Sequence, residues 1–114
     1  MPPISNAPVR ISIEEATCQT IWVSSDDGQA VFEAVAGQLR AGHLVSLSFA
    51  GRAQVITAFL NVAIGQLYSG SIPWNELDAR LSFEDLGDGD REKIDMVILN
   101  AKRYFQQRSQ QQSL

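Results

Sequence analysis

Apolar and polar residues alternate at the start of the chain: Val9, Ile11 and Ile13 are interleaved with Arg10 and Ser12, the period of a half-buried strand. Ile21, Trp22 and Val23 form a second strand-like triplet. The run Ser24-Ser25-Asp26-Asp27-Gly28 then offers several helix N-caps. After it Val31, Phe32, Val35, Ala36 and Leu39 recur on one face of a helix, with Gly42 placed as its C-terminal stop. Val45, Leu47 and Phe49 alternate with Ser46 and Ser48 in the clearest strand of the chain, which ends at Ala50-Gly51-Arg52. A second helix is predicted from Thr57 to Tyr68; it is apolar at Phe59, Leu60, Ala63, Ile64 and Leu67 and nearly free of charge, the composition of a buried helix.

Residues 70–74 read as a break around Pro73, followed by a short strand in which Ala79, Leu81 and Phe83 alternate with Arg80 and Ser82. Glu84 to Asp90 reads as an acidic, glycine-bearing loop, with Asp90 as the N-cap of a last helix whose apolar face is Ile94, Val97, Ile98, Ala101 and Phe105. Residues 1–8, with three prolines, are expected to be a lead-in. Residues 107–114 are polar and glutamine-rich and are expected to fray. Residues 9–106 then form one domain. Strands alternate with helices, so the fold class expected is α/β; because the strands themselves alternate, the helices should lie mainly on one face of the sheet.

Composition narrows the function classes. At 114 residues and 45% hydrophobic the chain is long enough for one core. A net charge of −4 with only nine scattered Lys and Arg argues against nucleic acid as partner, because phosphate neutralisation needs clustered cations. No basic segment followed by an apolar core opens the chain, and no apolar run reaches bilayer-spanning length, so a membrane is not expected as partner either. Cys18 is the single cysteine, which excludes an intrachain disulfide and suits a reducing, cytoplasmic location.

Catalytic chemistry is hard to assemble from these residues. His43, the one histidine, lies in a turn with no neighbouring nucleophile or orienting carboxylate. Nothing near Cys18 marks an activated thiol. Asp85, Asp88 and Asp90 are interleaved with Gly87 and Gly89 but fail the spacing of a calcium loop, so neither a metal nor another cofactor is expected. Trp74, beside Pro73, is a candidate interface anchor, since Trp is enriched at binding hot spots.

The segment 45–51, reading VSLSFAG, and the segment 55–68, reading VITAFLNVAIGQLY, resemble the signature of the STAS-like family. In that family a strand ends in an Asp-Phe pair, and a Gly, an Ile-Thr-Ser stretch and a Phe-Leu-Asn helix start follow. Asp27-Gly28 and the stretch 100–105, NAKRYF, add to the match, so the resemblance spans roughly residues 9–106. It implies the fold of anti-sigma-factor antagonists, a small mixed sheet with helices packed on it, and a non-catalytic role in regulatory protein-protein interaction. Partner switching with a kinase-type ATPase is the mode it suggests, with a phosphorylated hydroxyl at the start of the helix after the central strand.

By position that hydroxyl falls on Thr57, with Ser48, Gly51, Phe59 and Asn61 as its motif neighbours. The pattern departs from the family where Ser48 replaces the Asp usual at the end of the strand, and from the classical members of the wider group where Ile56-Thr57-Ala58 replaces Asp-Ser-Ser. Thr57 as a simple helix cap is the competing reading. A small-ligand or nucleotide-binding domain is the alternative function, and homodimerisation through an exposed strand edge is a further expectation.

Overall fold

The computed structural model describes residues 8–70 and 72–112. Ten regular elements and one 3₁₀ turn follow in the order β1 (Val9–Ser12), α1 (Ile13–Thr17), β2 (Ile21–Trp22), α2 (Ser25–Arg40), β3 (Val45–Ser48), β4 (Gln54–Val55), α3 (Thr57–Ala63), the 3₁₀ turn Gly65–Ser69, α4 (Trp74–Arg80), β5 (Leu81–Glu84) and α5 (Asp90–Gln112). The fold is α/β, as expected. Its sheet has the order β1-β3-β5, and β2 pairs β4 in a separate two-stranded ribbon. Every one of these ladders is parallel, where the resemblance implied a mixed sheet.

The register explains why one face of the sheet is covered. Val9, Val45 and Leu81 form one cross-strand row, and Ile11, Leu47 and Phe83 a second. Between them, on the opposite side of the pleat, lie the rows Arg10-Ser46-Ser82 and Ser12-Ser48-Glu84. Parallel sheets are ordinarily covered on both faces; here alternation leaves one apolar face and one polar face. The apolar rows join a core with Val31, Val35 and Leu39 of α2, Phe59, Leu60 and Ala63 of α3, and Ile94 and Val97 of α5. Trp22 sits at its centre, edge-on to Phe49 at 5.6 Å and stacked on Phe59 at 6.1 Å.

Ser24 begins α2, its hydroxyl accepting from the N–H groups of Asp26 and Asp27. The other end is held by Arg80, which donates to the carbonyls of Leu39 (2.5 Å) and His43 (2.9 Å). Gly42, at φ +94°, makes the turn into β3 that its position predicted.

Several expected boundaries move. Ile13 does not extend β1; it opens α1, because the Ser12 hydroxyl accepts from the Glu15 N–H and caps a helix there. The helix expected from Thr57 to Tyr68 is α3 followed by a 3₁₀ turn, the change falling at Ile64-Gly65, where Gly65 brings its backbone against Val97 and Ala101 of α5. Ala79 lies in α4, not in a strand: Pro73 starts that helix instead of only breaking the chain, and its fixed φ of −56° suits the position. Asp90 is the first residue of α5, not its cap. The Lys93 N–H donates to the Gly89 carbonyl, and the Asp90 carboxylate turns inward. Helical backbone of α5 runs through Gln112, and the last two residues of the tail lie outside the described residues. The lead-in expected at residues 1–8 lies outside the described residues except for Pro8.

Candidate functional site

The residues singled out in the sequence divide into a buried pair and an exposed set. Ser48 and Phe59 are fully buried, whereas Gly51, Thr57 and Asn61 are exposed. Phe59 packs on Trp22 and offers no surface to a partner.

Ser48 ends β3 inside a polar cluster on the sheet's polar side. Its hydroxyl donates to the Asp85 carboxylate at 2.7 Å and accepts from the Arg10 guanidinium at 2.9 Å and the Ala50 N–H at 3.2 Å, which uses its one proton and both lone pairs. Arg10 completes the cluster with Glu84 at 2.6 Å and Asp85 at 3.2 Å. The hydrogen bond from the Ser48 hydroxyl, and after it the one from Arg10, hold the Asp85 carboxyl below its ordinary value. Asp85 reaches this position from a left-handed backbone, φ +59°, a conformation that Asp tolerates better than most residues. A hydroxyl so occupied is structural: it ties the end of β3 to the Arg10 side chain of β1 and to Asp85 just after β5.

The turn after β3 is locked from two sides. Gly51 has φ +85°, and a side chain there would run into the Glu14 carboxylate of α1. Next to it, Arg52 donates to the buried Asp90 carboxylate at 2.8 Å, and the same carboxylate oxygen accepts from the Gly87 N–H at 2.8 Å. Asp85 and Asp90 are thus drawn to separate partners and do not converge. Among the described residues no group of three or more acidic, histidine or cysteine side chains is placed to hold a metal ion.

Thr57 is the first residue of α3. Its hydroxyl makes no cap bond, and the N-cap position belongs to Ile56, which has no side chain able to make one. Thr57 therefore does not cap the helix through its hydroxyl. Asn61 stands one turn further along the same exposed side. The start of α3 is set by the β2–β4 ribbon, because the Ile56 N–H donates to the Trp22 carbonyl at 3.3 Å. That bond places Val23, 43% exposed, beside Ile56 and Thr57, with Ile21, 49% exposed, on the same side of β2. The triplet Ile21-Trp22-Val23 is strand-like in sequence, but the ribbon it enters is two residues long and leaves Ile21 and Val23 outside the core.

Trp74 is half-buried. Its indole N–H donates to the Tyr68 carbonyl at 2.8 Å and its ring meets Tyr68 edge-on at 6.3 Å, so it braces α4 on the 3₁₀ turn. His43 and Cys18 are exposed and lie in separate turns.

A cavity of about 450 Å³ opens between β5, α4 and α5. Leu81 and Phe83 line its floor, and Arg91, Asp95 and Lys102 of α5 form one wall. Its charges are paired: Arg91 with Asp95 along α5 at 3.5 Å, and Lys102 with Asp78 of α4 at 2.9 Å. Tyr68 donates to the other oxygen of Asp78, and burial, helped by that carboxylate, pushes the phenol well above its ordinary value.

These features describe a small α/β domain with helices on the apolar face of a short parallel sheet and an exposed helix start beyond its central strand. A family model described as a STAS-like domain of unknown function (DUF4325) matches residues 27–91, from the first turn of α2 to the first turn of α5. The match covers more than half of the chain, and the protein belongs to this family. No curated protein and no solved structure matches it. No helix among the described residues is long and apolar enough to cross a membrane.

Proposed function

We propose that this chain is a non-catalytic regulatory module that binds another protein through the start of α3 and the β2–β4 ribbon. The observation that carries the reading is the exposure of Thr57 and Asn61 on α3 together with that of Ile21 and Val23 on the ribbon whose Trp22 carbonyl holds the start of that helix. Apolar side chains that reach solvent beside hydrogen-bonding groups have the mixed character of a recognition surface. Membership of a STAS-like family supports a regulatory role, and a kinase-type ATPase is the partner we expect. Thr57 is then the residue to be phosphorylated, and its exposure gives a kinase access that Ser48 does not.

The test is site-specific photocrosslinking in the native cell, with the crosslinker placed in turn at Asn61 and at His43. These positions lie toward opposite ends of α2, since Gly28 in its first turn packs against α3 and His43 follows its last turn. We expect a protein adduct from Asn61 that weakens when Thr57 is replaced by Glu, and none from His43. Equal adducts from both positions, or none from Asn61, would refute the surface.

The cavity beside β5 supports a second reading, a small-ligand site. Its volume lies in the range of such sites. Because its cations are already paired, a ligand carrying both an amino and an acidic group suits it better than a nucleotide triphosphate. Thermal-shift screening decides between them: a rise in melting temperature with zwitterionic metabolites but not with ATP supports this reading, and no rise with either removes it.

A further inference from the structure

We propose that α5 pairs antiparallel with α5 of a second copy of this chain, about a twofold axis between Met96 and Leu99. The helix buries Ile94, Val97 and Ala101 against the body of the domain. At about 100° per residue, the side opposite that buried stripe carries Glu92, Met96, Leu99 and Arg103. The steps between them are four, three and four residues, the spacing of a seam along which two helices pack. Met96 and Leu99 are 56% and 50% exposed.

Charge decides both the occupant and its orientation. Glu92 and Arg103 are exposed and take part in none of the ion pairs among the described residues. In an antiparallel pair each residue faces the one equally distant from the axis on the other helix. Met96 then meets Leu99 of the second copy, and Glu92 meets Arg103, twice by symmetry. Parallel pairing sets Glu92 against Glu92 and Arg103 against Arg103 and is disfavoured by repulsion. The stripe is thus complementary to its own inverted copy, as a twofold interface requires. Single exposed apolar residues need no explanation; an apolar pair bracketed by opposite unpaired charges at equal distances is a matched set. This surface lies on a different element from Thr57 and stands independently of the partner site proposed above. It also differs from the strand-edge pairing that the sequence suggests.

Sedimentation equilibrium of the full chain over a wide concentration range tests it. A concentration-dependent monomer–dimer equilibrium is expected, since four seam residues make a small interface. Glu92→Arg and Arg103→Glu should each weaken self-association at least tenfold, with unchanged circular dichroism because both positions are exposed. Mixing the two variants should restore the dimer, as each then presents the charge that the other lacks. A wild-type chain that stays monomeric throughout overturns the proposal. So does a dimer that survives both reversals, or two monomeric variants that fail to associate when mixed.

Discussion

The Ser48 hydroxyl donates to the Asp85 carboxylate at 2.7 Å across the ends of β3 and β5, 37 residues apart in the chain. With Arg10 from β1 bonded to both, one buried hydroxyl links side chains from β1, β3 and the residue that follows β5. In Ser48→Ala the Ala50 N–H and the Asp85 carboxylate both lose a partner, and the cost should be about 1–3 kcal/mol. Urea unfolding of the variant, with an unchanged m-value, checks this.

The same cluster sets a sign for acid stability. Asp85 titrates below its unfolded value of about 3.9, so its contribution is complete above that unfolded value and disappears as pH falls through the lower folded one. At neutral pH the wild type should be more stable than Asp85→Asn, and the gap should close below about pH 4. Because Asp85 is nearly half exposed, salt should narrow the gap too. A gap unchanged from neutral pH to pH 3 would show that the charge of Asp85 plays no part.

The strand β3, the helix α2 with its Ser24 cap and the buried stripe of α5 were legible because their periodicity coincides with what the core demands. Elements missed were those whose signal is ambiguous locally. Ser12-Ile13-Glu14-Glu15 carries the Ser-x-x-Glu spacing of a helix start, yet Ile13 also continues the alternation of β1. Pro73 both ends one segment and opens the next. The strand β4 is two residues long and exists only because Trp22 brings its backbone alongside. Likewise Ser48 could be picked out as a strand end, but nothing near it in the chain names Arg10 and Asp85 as its partners. That pairing depends on strand order.

Gly28, in the first turn of α2, lets that helix approach α3. A Cβ there would sit 3.0 Å from the Val62 Cβ and 3.1 Å from the Phe59 carbonyl oxygen, and the backbone oxygen cannot step aside. Overpacking of about 1–3 kcal/mol opposes the gain of up to about 1 kcal/mol from replacing a helical glycine. Gly28→Ala should therefore destabilise the fold and Gly28→Val should do so more strongly, whereas Gly37→Ala, with open space around it on the same helix, should stabilise it. Thermal melts of the three variants give the order directly.

The Arg52–Asp90 pair predicts an asymmetry. Asp90 is fully buried and one of its oxygens has no hydrogen-bond partner, while Arg52 retains some exposure. Arg52→Met leaves a buried carboxylate facing only the Gly87 N–H and should cost about 3–5 kcal/mol. Asp90→Asn removes the charge, can still accept from Gly87 and leaves Arg52 able to reach water, so its cost should be smaller. Equal costs by denaturant unfolding would mean that burial of the carboxylate is not the governing term.

Tyr68 sets the alkaline limit. Its phenol is buried and bonded to Asp78, and its folded value is raised above the ordinary value of about 10, with burial the larger cause and Asp78 the lesser. A raised folded value means that the native state holds the proton more tightly than the unfolded chain. The contribution is complete below about pH 10 and is lost as pH rises toward the folded value. Wild-type stability should therefore fall above about pH 10, with phenolate absorbance from Tyr68 appearing together with loss of helical circular dichroism. Tyr68→Phe should start from lower stability at neutral pH, having lost the bond to Asp78, and decline less steeply above about pH 10. Because burial is the main cause, Asp78→Asn should shift the onset only partway. A Tyr68 phenolate that forms while the helices stay intact would show instead that the ring is open to solvent beside the cavity.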